Sequence, residues 1–144
     1  MDIQIVKQED EKLCVIIHCG EISDEVIRLK AHIELFDRKL QAKIGNERYF
    51  INLSEVLYFE SVDGHTFLYT QDDVMEISQR LYELECILSD KDFIRISKST
   101  IVNINKIYSL KPELNRTILA TMSNGEQLYI SRKYVQAVKR LLSI

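Results

Sequence analysis

Apolar positions along the chain change their spacing several times, and each spacing predicts a different element. Two β-branched runs, IQIV at 3–6 and KLCVIIHC at 12–19, flank the polar QEDE at 8–11 and predict a β-hairpin. The interval then becomes helical, with Ile22, Val26, Leu29, Ile33 and Phe36 separated alternately by four and three residues. Ser23 is placed to cap that helix, and Asp24 and Glu25 suit its positive N-terminal end. From Arg38 the period falls to two: Leu40, Ala42 and Ile44 alternate with polar neighbours, Gly45-Asn46 turns, and Tyr49, Ile51 and Leu53 alternate again.

Short strands follow at VLYFES (56–61), HTFLYT (65–70) and VMEIS (74–78), divided by turn chemistry at Asp63-Gly64 and at QDD (71–73). Ser78 can cap a helix that carries Leu81, Leu84 and Leu88 and ends in the polar SDKD. Beyond it, FIRI, KSTIV and IYSLK predict strands, with NINKI as a single helical turn and Pro112 to Arg116 as a reversal. TILATM and QLYIS form a hairpin around Asn124-Gly125, and a last helix turns Tyr134, Val138 and Leu141 inward. Phe93, Ile96, Ile101 and Val102 are core positions by pattern. The fold class is mainly β with short helices (α+β), a β-β-α segment over residues 1–44 preceding a domain over 45–144.

At 144 residues the chain is long enough for one good core and a small annex. No apolar run approaches the roughly 20 residues that cross a bilayer, and the N-terminus lacks the pattern of an export signal, so a cytoplasmic location is expected. Cys14, Cys19 and Cys86 are odd in number and lack metal-ligand spacing; buried free thiols are expected. The formal charge of −3 hides a division: residues 93–144 hold 9 Lys+Arg against 2 Asp+Glu, and residues 1–92 hold 10 against 20. A polyanionic partner for the basic third is the natural consequence. Catalysis finds no support, because no phosphate-binding glycine loop, zinc-binding histidine pair or nucleophile elbow is present and His18, His32 and His65 are scattered. No cofactor and no metal are expected.

The ordered set VLYFESVDGHTFLYT, LYELECIL, FIRISKSTIVNINKI, SNGEQLYIS and SRKYV resembles the LytTR family of DNA-binding domains. The matching positions include Phe93, Arg95, Lys98, Ser99, Val102, Asn103, Asn124, Gly125, Ser131 and Arg132. The resemblance implies an elongated β fold in which loops, rather than a recognition helix, enter successive major grooves of double-stranded DNA. It points to the loops around His65, Lys98 and Ser131-Arg132. Arg132 is the first candidate for bidentate reading of guanine. Arg95, Lys106, Arg116 and Lys133 are candidates for neutralising phosphates, and Ser99 for bonding a loop or a phosphate. Asn103 and Gly125 are expected to be structural.

The N-terminal 44 residues are too short for a phosphorylated receiver domain, so the chain resembles the stand-alone regulators of the family. The stripe Ile22, Val26, Leu29, Ile33 and Phe36 is a candidate homodimer seam, and a membrane-protein regulator is a candidate partner. The competing expectation is an interaction or anti-regulator module that keeps the fold without DNA binding, its acidic first 92 residues repelling or imitating DNA.

Overall fold

The computed structural model describes residues 1–37, 39–88 and 92–144, side chains of 31, 32 and 34–37 excepted. The first helix, α1 (Asp24–Asp37), starts where Ser23 Oγ accepts the Val26 N–H at 3.4 Å. Ten strands and two more helices follow: β1 (Leu40–Ile44), β2 (Glu47–Ile51), β3 (Tyr58–Val62), β4 (His65–Tyr69), β5 (Val74–Ile77), α2 (Leu81–Leu88), β6 (Phe93–Ser97), β7 (Thr100–Asn103), β8 (Ile107–Pro112), β9 (Ile118–Met122), β10 (Gln127–Ile130) and α3 (Arg132–Leu142). Seven strands form one antiparallel sheet in the order β2-β1-β5-β4-β3-β7-β6, and three form a second in the order β10-β9-β8.

Alternation along β3 explains why the large sheet carries a core on each face. Phe59 points to one side, where Leu68, Met75, Ile77, Phe93 and Ile101 meet Leu81, Leu84 and Leu88 of α2. Tyr58 points to the other, where Val102 and Ile96 meet Ile118, Ala120, Met122 and Ile130 of the small sheet and Val135 and Val138 of α3. Tyr134 and Val138 of α3 turn inward as expected, but at its end Leu142 is half-buried against this second core and Leu141 is 46% exposed, so the last position of the inward stripe is shifted by one residue.

The edge of β6 is closed by a bulge. Its register with β7 slips between Arg95 and Ser97, leaving the Ile96 carbonyl free of the ladder to accept the Ser131 N–H at 2.9 Å. An unpaired strand edge thereby becomes the joint to β10 and α3.

The expected N-terminal hairpin does not form. A turn exists at Glu9-Asp10, with Asp10 at φ 62°, but neither flanking run pairs, and Ile3, Ile5, Leu13 and Ile16 are more than two-thirds exposed. Two strands alone bury too little to offset chain entropy, and these have no sheet beside them to extend. The segment before the domain is therefore an extended stretch followed by α1. None of the described α1 side chains joins either core. Ile22 is 80% exposed, Val26, Leu29 and Ile33 are half-buried, and the side chain of Phe36 lies outside the described set. The cysteines also depart from expectation, all three being free and exposed: Cys14 and Cys19 lie in the unpaired stretch and Cys86 on the solvent side of α2.

Candidate nucleic-acid interface

Three connections lie in a row along one end of the large sheet, and two backbone hydrogen bonds fix their order. The β3–β4 tip is a tight turn with Asp63 at φ 51° and Gly64 at φ 80°, the left-handed pair that matches a two-residue hairpin to strand twist. One step down β3, the Ser61 N–H donates to the Ser99 carbonyl at 2.8 Å, setting the β6–β7 tip beside the β3–β4 tip. The Ser131–Ile96 bond then sets the start of α3 beside the β6–β7 tip. The β8–β9 turn reaches the same end, since Ile118 pairs with both Pro112 and Ile130.

At the first loop His65 is 62% exposed, with its Nδ1 2.8 Å from Oε1 of Glu76 on β5. The Arg80 guanidinium donates to the Gly64 carbonyl and fastens the turn from the other side. At the second loop the exposed side chain is Lys98, and Ser99 is half-buried with its N–H donating to Ser97 Oγ at 3.2 Å. Arg95 lies beneath this loop. Its Nε donates to the Ser97 carbonyl at 2.7 Å, one terminal nitrogen to the Lys98 carbonyl and the other to the Glu85 carboxylate. Each of the three guanidinium nitrogens has a partner in the protein, two of them carbonyls of the loop, so Arg95 braces the loop.

At the third position Arg132 and Lys133 occupy the first turn of α3, both exposed. Cations there oppose the helix dipole and the unpaired N–H groups, so this placement gains nothing from the helix itself and leaves the end strongly positive. Lys133 Nζ stands 5.4 Å from the centre of the Tyr134 ring. In the β8–β9 turn Asn115 and Arg116 are both left-handed, at φ 66° and 63°, and Arg116 completes a shallow groove of about 480 Å³ lined by Arg132, Lys133, Val135 and Gln136. None of the ion pairs found among the described residues uses Lys98, Arg116, Arg132 or Lys133.

The structure thus brings His65, Lys98, Ser99, Arg116, Arg132 and Lys133 to one rim and places Arg95 under it. Lys106 goes elsewhere. It closes the helical turn after β7, its carbonyl accepts the Ser123 N–H at 2.9 Å, and Ser123 in turn meets Gln71 of the β4–β5 turn, all at the opposite end of the sheet. Gly125 is at that end too, at φ 88° in the β9–β10 turn, where a side chain would be strained. Asn103 is buried; its amide donates to the Val56 carbonyl at 2.9 Å and its oxygen accepts the Asn105 N–H at 3.0 Å. Glu76, Arg80 and Glu85 were not singled out by the sequence. Only Glu76 left a trace, through the alternation of VMEIS that turns it to the face opposite Met75 and Ile77.

Among the described residues no group of His, Cys, Asp and Glu could hold a metal ion, and no helix is long and apolar enough to cross a membrane. The family model described as the LytTr DNA-binding domain matches residues 46–143. An uncharacterized HTH-type transcriptional regulator of Staphylococcus aureus is 34% identical over 130 residues, covering 89% of this chain and 88% of that protein. The sensory transduction protein LytT of Bacillus subtilis is 27% identical over 124 residues, 86% of this chain but about half (52%) of that longer protein. A solved LytTr DNA-binding domain from Bacillus cereus superposes with a TM-score of 0.71 at 29% identity, covering 75% of this chain and 99% of that one.

Proposed function

The chain belongs to the LytTr DNA-binding domain family, whose shared work is DNA-binding transcription regulation, and from that premise we propose how this molecule reads its site. His65 and Arg132 enter neighbouring major grooves on one face of double-stranded DNA, while Lys98, between them, meets the intervening backbone. The observation that carries this reading is the row of three loops held in order by the Ser61–Ser99 and Ser131–Ile96 backbone bonds.

The dimensions agree. Strands lie roughly 4.8 Å apart; the second loop follows the first by two strands and the start of α3 lies one strand beyond β6, so the outer two stand roughly 17 Å apart at the backbone. Long side chains add several ångströms at each end, approaching the roughly 34 Å between successive major grooves. Arg132 supplies the fork that fits guanine O6 and N7, and Arg116 and Lys133 neutralise phosphates beside it. Arg95 serves by bracing the middle loop rather than by touching DNA.

The test is base-analogue interference over a bound fragment from upstream of the gene, with competitor DNA at two salt concentrations. Two clusters of sensitive major-groove positions about 10 base pairs apart are expected. A single cluster, or binding insensitive to sequence, would overturn the reading.

Self-association through Ile22, Val26, Leu29, Ile33 and Phe36 is a second part of the proposal, supported by the half-buried Val26, Leu29 and Ile33 on a helix none of whose described side chains joins either core. Sedimentation of the full chain should show a dimer that Val26→Glu with Leu29→Glu abolishes; a monomer in both would remove this part.

A further inference from the structure

The His65–Glu76 pair has a chemical consequence for recognition, and it rests on the reading of His65 as a DNA contact. A carboxylate only accepts hydrogen bonds, so the 2.8 Å contact between His65 Nδ1 and Glu76 Oε1 requires the proton on Nδ1. The free nitrogen, Nε2, then has one character per charge state: an acceptor when the ring is neutral, a donor when it is protonated. We propose that Glu76 is a specificity-determining positioning residue, which fixes the tautomer of His65 and so decides which base edges its Nε2 can meet.

The surroundings suit that task. His65, Phe67 and Glu76 share one face of the sheet, because Phe67 pairs with Glu76 and His65 lies two residues before Phe67 on the same strand. On that face Glu76 has Lys43 of β1 directly opposite and, two strands away on β3, Glu60 opposite Phe67. Asp63 stands in the adjoining turn and Arg80 holds the Gly64 carbonyl. Glu76 is only 34% exposed, which limits the number of positions its carboxylate can take. Arg80 fastens the backbone just before His65 and Glu76 holds the Nδ1 edge of its ring, while the side chain is 62% exposed.

In the major groove an accepting Nε2 matches the amino groups of cytosine N4 and adenine N6, and a donating one matches guanine N7 and O6 or thymine O4. Without Glu76 either ring nitrogen can carry the proton, and the neutral ring loses its single character.

Two measurements on the full chain test this. Long-range proton–nitrogen NMR at pH 8, with His65→Ala for assignment, should show the proton on Nδ1 in the parent protein and shared between the nitrogens in Glu76→Gln. A parent ring protonated on Nε2 alone would overturn the proposal without reference to DNA. Binding to a site and to versions altered at the base pair sensitive to His65→Ala should show about tenfold discrimination at pH 8, reduced to about twofold in Glu76→Gln. Binding that depends on His65 yet is indifferent to Glu76→Gln would leave the loop reading standing and remove this one. Binding equal in His65→Ala at every base pair would remove both.

Discussion

The two ends of the large sheet are built from similar turns yet are occupied in opposite ways. At the far end, turn residues bond to one another: Gln71 to Ser123, Ser123 to the Lys106 carbonyl, Asn105 to Asp92 at 2.6 Å. At the near rim the bonds are made by the main chain, by short side chains such as Ser97 and Thr117 and by Arg80 and Arg95, whereas Lys98, Arg116, Arg132 and Lys133 are left outside every ion pair found among the described residues. One end spends its polar groups on holding itself together, while the other is held from below and keeps its cations available. Position in the fold, more than residue type, therefore separates the lysines of the rim from Lys106 at the far end.

That contrast can be broken most sharply at Arg132. Arg132→Ala should weaken binding to a specific site about 10- to 100-fold while changing non-specific binding far less, as read by titration against both DNAs; a bidentate guanine contact is worth about 1 to 3 kcal/mol. Arg95→Met comes next, because it removes the brace and not a contact. A roughly fivefold loss of specific affinity is expected, together with about 1 kcal/mol of stability in urea denaturation, reproduced in part by Glu85→Gln. Loss of affinity without loss of stability would instead mean that Arg95 touches DNA.

Lys133→Ala should lower the log–log salt slope by about 0.9 and leave base discrimination unchanged. Lys106→Ala, the matched change at the far end, should alter neither affinity nor slope beyond about twofold; a larger effect would place DNA at both ends. The smallest effect concerns the stacked rings of Tyr58 and Tyr69, 4.2 Å apart, near the far end. Burial is the first cause that raises both phenols above the ordinary tyrosine value; after it the Tyr69 ring acts on Tyr58 and the Glu60 carboxylate on Tyr69, with Glu126 adding to both. A raised folded-state value means the contribution is intact below about pH 10 and is lost as pH rises through the folded values. Alkaline denaturation beginning above about pH 10, delayed in Tyr58→Phe, would show it.

Most of the domain was legible because its local signals agree. Asp63-Gly64 demanded a tight hairpin, and the leucines at 81, 84 and 88 demanded a helix with one buried face. The N-terminal runs looked equally strand-like, yet β-branched composition describes a residue that fits a sheet and cannot supply the sheet. The site was legible in part for a related reason. Sequence identifies Arg95 as a cation, but whether its fork faces solvent depends on Glu85, ten residues away across a helix-to-strand connection. The placement of Lys106 was hidden in a similar way: it lies in the basic third of the chain, and charge counted along a sequence carries no information about which end of a sheet each residue reaches.

The bonds that order the rim are made by the backbone of Ser61, Ser99, Ile96 and Ser131, and a backbone bond is indifferent to the side chains around it. On the proposed reading, substitutions at His65 or Arg132 therefore change which letters are read and leave the interval between them untouched. Among relatives that diverge at these loops, binding sites should drift in base identity at constant spacing. A new regulatory address can arise by single changes, with no redesign of the frame.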